Sequence, residues 1–179
     1  LGSSANFTRL LTQTAYYQPM PAGIVFANSV RLGLADPFSN SNVPTSERFF
    51  AGGGTTLRGF PINEAGPIRY VPFCSPGQTT NCPNVPVPIG GNQLFIFNSE
   101  LRYPIPIINK LGGVVFYDGG NVYRRINFAD FMRNYSNTVG IGLRYSTPIG
   151  PVRIDVGRNL NPPVGISATQ FFITLGQAF

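Results

Sequence analysis

The 179 residues carry 13 lysines and arginines against seven acids, for a net charge of +6, yet charged residues make up only 11% of the chain. That is less than half of the roughly 25% in an ordinary soluble domain, while 13% aromatics exclude the aromatic-poor composition of a disordered chain. The complete absence of His removes most metal sites and most general-base chemistry, and no nucleophile–base pair is visible, so no enzyme, metal site or cofactor is expected.

Two-residue alternation then recurs in short segments bounded by Gly, Pro and Asn, the pattern of half-buried strands. It is weak over 7–18 and clear over 24–34, where Phe26, Val30, Leu32 and Leu34 share one face and Ser29, Arg31 and Gly33 the other. The next strand is predicted at 93–103, with Phe95, Phe97, Leu101 and Tyr103 opposite Asn98, Glu100 and Arg102. A weaker one covers 113–123, where the face of Asp118 is ambiguous because Val114, Phe116 and Val122 share its parity. Segments 138–147 and 151–158 alternate cleanly; in the second, Val152, Ile154 and Val156 oppose Arg153, Asp155 and Gly157. The last strand is predicted at 170–179, with Phe171, Ile173, Leu175 and Phe179 on one face and Thr174, Gly176 and Ala178 on the other.

Seven strands of about 9–11 residues are the length that crosses a bilayer when tilted by ~45°. Apolar residues on one face, with Gly, Thr, Arg and Asp on the other, match a barrel that is lipid-facing outside and polar inside. A soluble sandwich also alternates, but its outer face would carry Lys and Glu, and Lys110 is the single lysine here. No apolar run approaches the ~20 residues of a spanning helix. The arginines are scattered singly, which argues for a polar lining and against a nucleic-acid interface. Tight turns at 18–23, 104–112 and 145–152 alternate with longer links at 35–92, 124–137 and 159–169, as in outer-membrane barrels. The 35–92 link is far too long for an ordinary hairpin and is therefore a functional candidate. Within it Cys74 and Cys82 flank a turn-rich segment suited to a small disulfide loop in an oxidising compartment. Its glycines lack the Gly-Lys-Ser/Thr of a phosphate-binding loop and suit tight turns and close packing instead.

Several motifs in order carry a family resemblance. Glu47-Arg48-Phe49-Phe50-Ala51-Gly52-Gly53-Gly54-Thr55-Thr56-Leu57-Arg58-Gly59-Phe60 resembles the sixth extracellular loop of BamA-type outer-membrane protein assembly factors, the bacterial surface antigen superfamily. Glu100-Leu101-Arg102-Tyr103-Pro104, Phe116-Tyr117-Asp118-Gly119-Gly120-Asn121-Val122-Tyr123, Thr147-Pro148-Ile149-Gly150-Pro151-Val152-Arg153 and the terminal Gly176-Gln177-Ala178-Phe179 are similar to later family motifs.

The resemblance implies an all-β, antiparallel transmembrane β-barrel. Residues 1–179 would supply the C-terminal seven or so strands of a sixteen-stranded barrel, without the POTRA domains that precede it. It implies that 44–90 is a long extracellular loop folded into the lumen, with Leu57, Arg58, Gly59 and Phe60 as its motif and Glu100 and Asp118 as the partners of Arg58. The terminal strand, with Phe171, Ile173, Leu175, Gly176 and Phe179, would form one side of a lateral gate. The implied activity is insertion of nascent outer-membrane proteins into a bacterial outer membrane. The implied partners are those clients, outer-membrane lipids, accessory assembly lipoproteins and the remaining barrel wall, in cis or from another chain. A polypeptide-secretion or passenger-display barrel is the alternative, and a simple porin or adhesin a second one.

Overall fold

Alternating side chains cannot all be buried by one sheet in water, but a sheet between lipid and a filled lumen satisfies both faces. The computed structural model describes residues 6–38, 42–74, 76, 80 and 82–179. Its strands are β1 (Phe7–Pro19), β2 (Val25–Pro37), β3 (Ile68–Pro72), β4 (Asn84–Pro88), β5 (Gln93–Pro104), β6 (Leu111–Tyr123), β7 (Ser136–Thr147), β8 (Gly150–Asn159) and β9 (Thr169–Leu175), with one helix, α1 (Phe128–Asn134). Seven of them form one sheet in the order β1-β2-β5-β6-β7-β8-β9, every neighbouring pair antiparallel. The hairpin β3–β4 stands apart as a two-stranded sheet. No described helix is long and apolar enough to cross a membrane.

The register aligns the faces across the whole sheet. Phe26 pairs with Leu101, Leu101 with Val115, Val115 with Ile141, Ile141 with Val156 and Val156 with Phe171. Each of these is exposed, so they form an apolar band on the convex side. Three residues along, Asn98 pairs with Asp118, Asp118 with Thr138 and Thr138 with Asn159, all buried on the concave side. The parity of Asp118 is thereby settled: it faces inward with Val114, Phe116 and Val122.

Those apolar residues line the inner wall because the long β2–β5 link covers it. Val43, Phe49, Ala51, Leu57, Phe60 and Ala65 of the link pack with Ala35, Leu94, Ile96 and Val122 of the wall into one buried cluster. The two are stitched by Phe49–Gly91 backbone bonds of 2.8 and 3.0 Å. Distal to this packed part, β3 and β4 are joined through a disulfide between Cys74 and Cys82, whose Cα atoms lie 4.7 Å apart.

One expectation needs correction. The terminal strand does not run over 170–179: β9 stops at Leu175, and Gly176 turns out of it with φ +98°, open to glycine and strained for any other residue. Phe179 therefore leaves the outer face of Phe171, Ile173 and Leu175. It stacks on Tyr17 of β1 at 6.3 Å, and the Tyr17 hydroxyl donates to its carbonyl at 2.8 Å. The two ends of the sheet touch through this tail, but β1 and β9 do not pair and the sheet is not closed. Two of the longer links carry structure of their own: 124–137 contains α1, capped by Asn127 accepting from the Asp130 amide at 2.8 Å, and 35–92 contains β3 and β4.

Candidate functional site

The short-turn rim of the sheet is joined at 20–24, 105–110 and 148–149, and the long links all leave from the opposite rim. From there residues 49–60 descend along the concave wall. Gly52 and Gly53 reverse the chain with φ +112° and +95°, and a Cβ on Gly52 would lie 2.2 Å from the Pro61 carbonyl oxygen. Gly59 is held by contact: a Cβ there would meet Thr138 Oγ1 of β7 at 2.3 Å. The wall answers with its own glycine, because a Cβ on Gly157 of β8 would meet the Arg58 carbonyl oxygen at 2.2 Å. Two backbones thus meet with no side chain between them, and this brings Arg58 to the wall.

Arg58 is 1% exposed and is surrounded by carboxylates from three strands. Its Nε donates to Asp118 Oδ2 at 2.8 Å and its Nη2 to Asp118 Oδ1 at 2.6 Å, a two-pronged pairing that suits the planar guanidinium. Its Nη1 donates to Glu100 Oε1 of β5 and lies 3.9 Å from Asp155 Oδ1 of β8. The Arg58 backbone N–H adds a bond to Asp118 Oδ2 at 3.1 Å. The guanidinium carbon sits 3.5 Å over the Phe116 ring, within the range of a cation–π contact. Burial works against the Arg58 charge, but Asp118, Glu100 and Asp155 outweigh it and hold its pKa above the usual arginine value.

The carboxylates are themselves shared. Arg102 Nε donates to Glu100 Oε2 at 2.7 Å, Arg144 Nη1 to Asp155 Oδ1 at 2.6 Å, and Asn98 Nδ2 to Asp118 Oδ1 at 2.8 Å. Asn98 Nδ2 also reaches the Thr56 carbonyl at 2.7 Å. Arg153, 1% exposed, donates from Nη2 to the Gly54 carbonyl at 2.7 Å and from Nε to Thr174 of β9 at 2.9 Å. The loop is therefore tied to β5, β6, β8 and, through Arg153, to β9.

The structure brings Arg58, Glu100 and Asp118 together, and buries Leu57 and Phe60 in the cluster beside them. Phe171, Ile173 and Leu175 lie elsewhere, on the outer face of β9, and Cys74 and Cys82 lie in the β3–β4 hairpin. Sequence reasoning missed Asp155, Arg144, Arg153 and Asn98 as members of the site. Their signal was present, since Arg153 and Asp155 alternate with Val152, Ile154 and Val156, but the partner of a polar residue 97 positions away is not written in local alternation. The arrangement is a lattice of charges that ties the loop to the wall. Among the described residues no group of His, Cys, Asp or Glu could hold a metal ion.

The whole chain, residues 1–179, matches the model of the Omp85 superfamily domain. A SAM50-like protein of Drosophila melanogaster is 26% identical over 151 residues, covering 80% of this chain and 30% of that protein. The crystal structure of BamA from Haemophilus ducreyi lacking POTRA domains 1–3 superposes with a TM-score of 0.74 at 25% identity, over 95% of this chain and 35% of that one. The chain thus spans about a third of the length of these relatives. With an antiparallel sheet, apolar outside and polar within, and a match from end to end, the chain belongs to the Omp85 superfamily of integral outer-membrane β-barrels.

Proposed function

We propose that this chain supplies the C-terminal wall of a bacterial outer-membrane protein assembly factor, with β9 as one side of a lateral gate through which client strands enter the bilayer. The observation that carries the reading is the short, interrupted strand β9 at the end of the sheet. Among the described residues its one strand partner is β8, and its other edge is where the next strand around the barrel would pair. Such an edge is a template for strand addition. At seven residues β9 is shorter than every other strand of its sheet, and it breaks at Gly176, which favours a weak and exchangeable seam. The Arg58 lattice supplies the complement. It keeps the loop seated and the wall rigid while the seam opens.

On this reading the partners are nascent outer-membrane proteins and the surrounding lipids, with the rest of the barrel wall, POTRA domains and accessory lipoproteins contributed from outside this stretch of sequence. The test uses the full-length protein with a cysteine pair that locks β9 to the strand following it around the barrel. The expected result is loss of client insertion in the oxidised form and recovery on reduction. Insertion that continues in the locked barrel would sink the gate. Intact insertion of membrane clients with failed release of a soluble polypeptide would transfer the seam to secretion instead.

A further inference from the structure

At the long-loop rim three links meet around a cleft of about 550 Å³. Phe60 and Pro67 of the long loop, Val122 of β6 and Pro163 of the β8–β9 link supply its apolar lining. Hydrogen bonds from asparagines hold the links together. Asn121 Nδ2 donates to the Asn134 carbonyl at 2.6 Å, Asn161 Nδ2 to the Tyr135 carbonyl at 3.0 Å, and the Asn137 amide to Asn161 Oδ1 at 3.1 Å. The Phe131 ring, edge-on to Phe95 at 5.4 Å, fixes α1 as well. The charged residues of the cleft are Arg124, Arg125 and Arg133 against one carboxylate, Asp130. Asp130 is already engaged by Arg133 at 2.7 Å and by Asn127 at 2.7 Å. Arg124 and Arg125 are exposed and have no carboxylate partner among the described residues. Ser136 starts β7 on the concave side, opposite Gly120 and two positions before Thr138. It lines the cleft and is only 5% exposed, yet its hydroxyl has no hydrogen-bond partner among the described residues. A buried polar group without a protein partner calls for one from outside the chain.

We propose that this cleft binds a water-borne sugar phosphate, with its phosphate on Arg124 and Arg125 and its sugar against Ser136. A phosphate monoester carries close to two negative charges at neutral pH, which matches the two arginines that Asp130 leaves over. Guanidinium forks suit its several acceptor oxygens. Phosphate alone would fill a small part of the space. The rest of the lining sets Phe60, Pro67 and Pro163 beside the Ser136 hydroxyl and the Asn134 side chain, and a sugar ring needs both apolar surface for its carbon face and polar groups for its hydroxyls. Val122 and Ser136 belong to the concave wall and Phe60 to the loop that covers it, so the ligand arrives from water and not from the bilayer. Once bound, it touches the long loop and the β6–β7 and β8–β9 links together and holds them in one arrangement. The inference rests on the fold and is independent of the assembly activity.

The test is isothermal titration calorimetry of the full-length protein in phosphatidylcholine nanodiscs, with glucose-6-phosphate, inorganic phosphate and glucose as probes. Glucose-6-phosphate should bind about tenfold more tightly than inorganic phosphate, because the sugar adds hydrogen bonds, and glucose should give no heat. Arg124→Gln and Arg125→Gln should each weaken glucose-6-phosphate about tenfold, the worth of one hydrogen bond to a charged group. Ser136→Ala, which alters no charge, should weaken it about threefold, the worth of a neutral hydrogen bond, and leave inorganic phosphate unchanged. Lys110→Gln removes the same charge at the opposite rim and should change nothing. Heat-modifiable migration on gels certifies that each variant is folded. The proposal is overturned if no phosphate compound binds, or if Lys110→Gln weakens binding as much as the arginine variants, which would mark a response to net charge alone. Equal affinity for inorganic phosphate and glucose-6-phosphate overturns it too, as the sign of a plain anion site. So does loss of binding when phosphatidylglycerol is added to the nanodiscs, which would give the arginines to lipid headgroups.

Discussion

Arg58 is a residue whose removal leaves more behind than it takes away. Without it Asp118 and Glu100, both fully buried, lose the cation they share. Breaking a buried pair on one side costs about 3–5 kcal/mol. Arg58→Ala is expected to lose that much in urea unfolding of the full-length barrel, and to expose residues 49–60 to protease. Arg58→Lys offers a point charge where Nε, Nη1 and Nη2 each have an acceptor. Losing one charge-assisted bond costs about 2 kcal/mol, so the lysine variant should unfold between the other two. If Lys matched Arg in that measurement, the fork geometry would be irrelevant and the lattice a matter of charge alone. Gly59→Ala tests the close approach without touching a charge. Its methyl would press on Thr138 Oγ1, and overpacking of this kind costs about 1–3 kcal/mol, read in the same unfolding experiment.

Among the elements, the seven spanning strands were legible because lipid on one side and a polar lumen on the other impose strict alternation, as Val139, Ile141 and Leu143 against Thr138, Gly140 and Gly142 illustrate. The inward apolar residues of β6 obscured its parity because they serve the loop, and a contact with a distant segment leaves no local period. β3 and β4 escaped notice for a different reason. Pro72, Pro83, Pro86 and Pro88 crowd that stretch, and proline within a run argues against a strand unless both edges are free, which is the situation of an isolated hairpin. α1, at seven residues, spans barely two turns, too few for its period to emerge. The hairpin also makes a prediction of its own. Its disulfide closes a short loop, for which chain entropy suggests about 2–3 kcal/mol, and it lies apart from the Arg58 lattice. Replacing Cys74 and Cys82 by serine should speed proteolysis within 68–88 and leave the unfolding of the barrel wall unchanged.

The molecule as a whole is a curved wall with two open sides, β1 and β9. Unpaired backbone in hydrocarbon is costly, so the 179 residues produced alone in detergent are expected to join edge to edge. Crosslinking should give dimers and larger species, whereas the parent barrel should run as a single closed unit. The short terminal strand has a consequence for the membrane itself. The 13 residues of β6, rising ~3.3 Å each and tilted ~45°, reach across about 30 Å, the thickness of a bilayer's hydrocarbon. The seven of β9 reach across only about 16 Å by the same arithmetic, and beyond Leu175 the chain turns inward. Lipid tails beside β9 must therefore shorten, tilt or splay to avoid leaving polar backbone in oil, at a cost of fractions of a kcal/mol per Å. On the proposed function, the wall would carry its own dimple in the membrane along one side, where a polar chain would have the thinnest layer of oil to pass.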